Sequence, residues 1–172
     1  MAKAWNVPGL RGDAKFRDAA GRVIVTRWRE MMSFRDGTLA GEDIEELHAM
    51  RVSSRRLRAA MDAFAGAFPE RPFRTRLRVV KEITDTLGAA RDLDVAMEGL
   101  DAVVTEFAAH ERTGIEALTA EYRRRRLDEA TQIAALFTRL DDEDYSRRFE
   151  RWVSRHTAVD PLQLHTAPPG DV

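Results

Sequence analysis

His48, Arg51, Arg55 and Arg58 are four basic side chains within eleven consecutive positions. On a helix turning about 100° per residue they fall inside an arc of roughly 80°. Cations stacked on one helix face repel one another unless an anion lies among them, and the planar guanidinium fork suits phosphate oxygens. A second stripe comes next, with Arg74, Arg78 and Lys81 spaced by four and three, so that they too share a face. Packed side by side, the two stripes would line one groove, with Arg91 near its end, and such a groove would attract a polyanion. Asp62 and Asp85 lie on the same arcs and can pair with part of the charge. Arg56 falls about 80° from His48 on the other side of the wheel, where a solvated or ion-paired role competes with phosphate binding. Histidine gains charge as pH falls, so His48 is expected to tighten anion binding under mildly acid conditions.

The average charge hides this pattern. The 172 residues carry a net charge of −1, which by itself argues against a polyanion partner. From Arg51 to Lys81, however, nine basic residues face two acids, so this segment is +7 and the remainder −8.

Other chemistry finds little support. Cysteine is absent, which excludes disulfides and thiolate chemistry and is compatible with the reducing cytoplasm. The nucleophile-elbow, zinc-protease, P-loop and dinucleotide-binding motifs are missing, and neither a catalytic residue nor a cofactor is expected. Asp92 and Asp94 would need further ligands to hold a metal. Arg123, Arg124, Arg125 and Arg126 are consecutive and point in different directions on a helix, so they read as a charged exterior from which one arginine could reach the groove. His110, His156 and His165 lack arginines at the His48 spacing and read as surface or tail residues. No apolar run approaches the length of a membrane span, and the first residues carry no signal-peptide pattern.

Helices must position these cations. With 44% apolar and 33% charged residues, 10 glycines and 6 prolines, the chain has the composition of a folded helical domain. Phe16, Ala20, Val23, Arg27, Met31 and Phe34 recur at helical spacing behind Asp13, a candidate N-cap. Residues 35–41, with Gly37, Thr38 and Gly41, predict a connector. Leu47, Met50, Leu57, Met61, Phe64 and Phe68 mark a second helix over about 42–67, ended by Pro69 and Pro72. Phe73 to Leu87 predicts a third helix, broken or kinked at Gly88 before continuing to Val104. A long helix over about 107–140 and a short one ending near Arg155 complete an all-α antiparallel bundle of five to six helices. Residues 1–12 and 157–172 read as irregular tails around a helical domain at 13–156.

The stretch HAMRVSSRRLRAAMDAF, His48 to Phe64, closely resembles the signature helix of the conserved histidine α-helical domain, or CHAD, family. LGAARDLDV, Leu87 to Val95, is similar to the family's second motif, and DEDYSRRFERWV at 142–153 is similar to the family's later stretch beyond that motif. The resemblance implies a helical domain that binds inorganic polyphosphate through His48, Arg51, Arg55, Arg56, Arg58 and Arg91. It also implies association with polyphosphate granules or with a CYTH-type triphosphate enzyme, whose own Glu-x-Glu-x-Lys signature this chain lacks. Family members carry two similar helical halves, and only the first is recognisable here. A homodimer completing the basic cavity is therefore expected, which light scattering would test. Two other readings use the same cations: nucleic-acid or nucleotide binding, and a scaffold that docks a triphosphate-processing enzyme.

Overall fold

The computed structural model describes residues 3–164, with every side chain in that range except those at positions 105 and 109–111. His165 and the rest of 165–172, together with the side chain of His110, lie outside the described residues. The described chain is all-α: α1 (Phe16–Met32), α2 (Arg35–Ala40), α3 (Ile44–Ala63), α4 (Glu70–Val103), α5 (Ala109–Asp142) and α6 (Tyr145–His156). Antiparallel neighbours joined by short turns bury their apolar stripes on one another. α1 and α4 pack on either side of α3, α5 packs on α4, and α6 closes against α1 and α5.

The stripe of α3 lies where its periodicity places it, with Leu47, Met50, Leu57 and Met61 at or below 2% exposure. Asp43 caps this helix by accepting the Glu45 amide at 2.8 Å. In α1 the buried stripe is Ala20, Ile24, Trp28 and Met31, shifted from the expected one. Phe16 is 55% exposed and touches only the rim of the core through the Phe64 ring, 5.4 Å away. Asp13 is not the N-cap. The preceding segment turns at Val7–Leu10 and Arg11–Ala14 and is pinned to α1, with Trp5 buried and its carbonyl taken by Arg27 at 2.7 Å, and the helix starts only after Lys15.

Three other expectations change. Residues 35–41 form the short helix α2 rather than an irregular connector, and Gly41, at φ 68°, ends it. Glycine at 37 permits this, because a Cβ there would meet the Glu46 side chain of α3 at 2.6 Å. The prolines do not stop α3, which already ends at Ala63 before a single 3-10 turn at Ala65–Ala67. Pro69 caps α4 and Pro72 sits in its first turn, where a missing amide costs nothing because that amide has no helical partner.

α4 also runs through Gly88 without a break, for 34 residues or about 51 Å. A mid-helix glycine costs only about 1 kcal/mol, less than the flanking burial of Leu87 and Ala90, both fully buried, returns. A Cβ added at Gly88 would meet only Arg51 Nε, at 3.7 Å, an ordinary contact. Gly88→Ala is therefore expected to stabilise the fold by about 0.5–1 kcal/mol in chemical denaturation.

The segments flanking the helices are docked. Val159 and Leu164 are buried, and Arg29 donates to the carbonyls of Pro161 and Leu164 at 2.9 and 2.8 Å. Gly21 makes room for this strap, since a Cβ there would meet Thr157 Oγ1 at 2.4 Å.

Candidate anion-binding groove

α3 and α4 are antiparallel, and Arg51 of α3 lies across Gly88 of α4. Its Nη2 is 3.7 Å from Asp92 Oδ1, and Asp92 is 77% exposed, so this is a weak surface pairing. Equal rise per residue carries the register along both helices. Arg55 then lies level with Asp85, Arg58 with Lys81, and Asp62 with Arg78. Gly88 and Asp92 continue the spacing of Arg74, Arg78, Lys81 and Asp85. That regularity is the signal in the sequence that Gly88 is the floor beneath Arg51 rather than a helix stop.

Arg55 and Arg78 are exposed, and Arg58 and Lys81 half-buried. Among the described residues none of these four has an ion pair or a hydrogen bond, although Asp62 and Asp85 lie within a turn of them. Four cations along two facing helices without an acid partner leave an unbalanced positive field, which is the electrostatic footprint of an anion site. His48 is half-buried on the same helix, with Nδ1 buried and unpartnered.

The remaining candidates are placed otherwise. Arg74 pairs with Glu70 at 2.6 Å, one turn back and largely in solvent, a contact of little energetic weight. Arg91 lies about 80° around α4 from Lys81, is 13% exposed, and binds Glu98 at 2.9 Å. Arg56 faces α1, where its Nη1 donates to Glu30 Oε1 at 2.9 Å. Glu30 is fully buried and also pairs with Arg27. Helical register thus sets Arg51, Arg55, Arg58, Arg78 and Lys81 along the adjoining sides of α3 and α4, with Arg74 at one end, while Arg56 and Arg91 are held in separate ion pairs.

The four consecutive arginines of α5 also separate. Arg124 and Arg125 both bind Glu121, and these hydrogen bonds lower its carboxyl to about 2. Arg126 turns inward to the buried Asp94, Nε to Oδ1 at 2.9 Å, so it reaches a different site from the α3–α4 groove. Arg123 stays exposed. No group of three or more metal-ligating side chains occurs among the described residues, and no helix there is long and apolar enough to cross a membrane.

No curated protein and no solved structure matches the chain. The family model described as the CHAD domain matches residues 22–170, which takes in the groove, both arginine stripes and α6. The all-helical bundle and the match over nearly its whole length agree, and the chain belongs to the CHAD domain family.

Proposed function

We propose that this protein binds inorganic polyphosphate, without catalysis, along the groove between α3 and α4. One observation carries the reading: Arg55, Arg58, Arg78 and Lys81 line facing helices and have no acid partner among the described residues. The family's general link to polyphosphate and triphosphate binding points the same way. Guanidinium forks and the Lys81 ammonium would grip successive phosphates by charge-assisted hydrogen bonds, with Arg51 positioned across Gly88 as the next contact. The stretch from Arg51 to Arg58 spans about 10 Å of helix axis, enough for more than one phosphate. Binding of this kind weakens steeply with salt, as it does for other polyanions.

A nucleic-acid binder with the same cations would add exposed aromatic platforms for base stacking. The groove stripes contain none. Two arginines do lie over rings, Arg35 at 5.9 Å from the Phe137 centroid and Arg76 at 4.3 Å from that of Trp152, but Phe137 is 0% and Trp152 6% exposed, and neither ring is accessible to a base. Displacement of labelled polyphosphate by unlabelled polyphosphate, single-stranded DNA and RNA at matched phosphate concentration tests the assignment. Polyphosphate is expected to compete best; stronger competition by either nucleic acid would replace this reading with the nucleic-acid one.

A further inference from the structure

Asp92 and Asp94 are two positions apart on α4 and therefore lie about 200° apart around it. Asp92 faces Arg51, whereas Asp94 opens the opposite flank, where α2, the start of α3, α4 and α5 enclose a cleft of about 630 Å³. The volume is in the range that takes a small organic molecule, about 300–1,000 Å³. Its walls include Leu39, Ile44 and Leu127, which are 38%, 40% and 70% exposed. Three large apolar side chains left open in one concavity leave it short of an apolar occupant.

The polar groups in the cleft define the other end of that occupant. Asp94 is 4% exposed and spends Oδ1 on Arg126, while Oδ2 is buried without a partner. Thr38 also lines the cleft, and its Oγ1 is likewise buried and unpartnered. A buried carboxylate oxygen accepts and cannot donate, so it calls for a donor. The charge balance gives the sign: Glu42, Asp43 and Asp94 line the cleft with Arg126, a surplus of acid. A carboxylate or phosphate would face that surplus, and a protonated amine would offset it. With one buried carboxylate oxygen unpartnered and apolar walls, the acceptor set suits an ammonium group rather than a divalent ion, which takes six or more oxygens.

We propose that this cleft is a second binding site, independent of the anion groove, for a small primary aliphatic amine. Its ammonium group would donate to Asp94 Oδ2 and Thr38 Oγ1, and its alkyl chain would lie along Leu39, Ile44 and Leu127.

Titration of the full chain with n-pentylamine, pentan-1-ol and pentanoate at neutral pH, monitored by calorimetry and by backbone amide shifts, tests this. The amine is expected to bind and to shift the amides of residues 38–47 and 126–133. The alcohol should bind at least about tenfold more weakly, and the carboxylate not at all. Asp94→Asn should abolish amine binding. Because that variant leaves Arg126 without its partner and could fail to fold, Ala130→Trp is the second arm. Ala130 lines the cleft and is exposed, so the indole would fill it from outside; amine affinity should drop about tenfold or more. Pentanoate binding as tightly as the amine, no amine binding at millimolar concentration, or amine binding indifferent to Ala130→Trp would each overturn the proposal. Polyphosphate affinity measured on the same samples separates the two sites, since they share no residue: Ala130→Trp should leave it unchanged, and its loss in the unmodified chain would strike the groove alone.

Discussion

Reversing two charges in the groove, Arg58→Glu together with Lys81→Glu, is expected to lower polyphosphate affinity by on the order of 100-fold or more at moderate salt and to leave folding intact. The two residues lie level on facing helices, both half-buried and neither with a partner among the described residues. No existing ion pair is broken, which is why the fold should tolerate the change. Binding, in contrast, loses two charge-assisted hydrogen bonds, each about 1.5–3 kcal/mol, and gains two repulsions. The control is Arg123→Glu with Arg125→Glu, an equal change of net charge on α5. It should cost far less, because screening over about 8–10 Å confines each charge to its own neighbourhood. Fluorescence titration against salt concentration would check both, with the groove variant also losing part of its salt slope. An equal loss in the control pair would mean that net charge, rather than the groove, governs binding.

Glu30→Ala is expected to destabilise the fold by about 3–5 kcal/mol. The carboxylate is fully buried between Arg27 and Arg56, and its removal takes from two guanidinium groups at the core edge the carboxylate they share. Breaking one partner of a buried pair is costly because the desolvated charge stays behind. Urea unfolding measures the loss, which should persist at high salt since buried charges are little screened. Replacing Glu30, Arg27 and Arg56 together by apolar residues of similar volume should recover most of it. A loss below about 1 kcal/mol for Glu30→Ala alone would mean that the triad is solvated like a surface pair.

Neighbouring residues with these opposite roles look alike in the sequence. Arg55 and Arg56 are adjacent in one motif, yet Arg55 has no partner among the described residues while Arg56 is held by a residue 26 positions earlier. Helical spacing reports which cations share a face, and it locates Leu47, Met50, Leu57 and Met61 in the apolar stripe of α3, although Phe64 and Phe68 fall beyond the end of that helix. It cannot report pairing, because Arg126 finds Asp94 at 32 positions and Arg29 finds Glu150 at 121, distances on which local periodicity is silent. The same limit explains α1. Val23 and Arg27 fit a helical period as well as Ile24 and Trp28 do, and the choice between them is made by the aromatic packing of Trp28 on Phe149, with ring centroids 4.5 Å apart. Gly88 departs from its expected role for a related reason. Glycine is punctuation when nothing else acts on the backbone, but here it lies inside a helix packed on two neighbours, whose burial holds the backbone helical. The cleft beside Asp94 leaves no pattern in the sequence, since its walls come from four helices and only the fold assembles them.

Arg29 holds more than a strap. Its guanidinium joins Glu150 of α6 and the carbonyls of Pro161 and Leu164, partners 121 to 135 positions away. The first and last described helices are therefore sewn together by a side chain that is made well before its partners. Until they emerge, Trp28 lacks the ring of Phe149 and its face of α1 stays open to water. The kinetic consequence is that α3 and α4, joined by one short turn, can pair while the chain is still growing, whereas closure of α1 on α6 must wait for the completed strap and carries the entropy of closing a long loop. The anion groove, built wholly from the early local pair, would then take shape before the domain around it has closed.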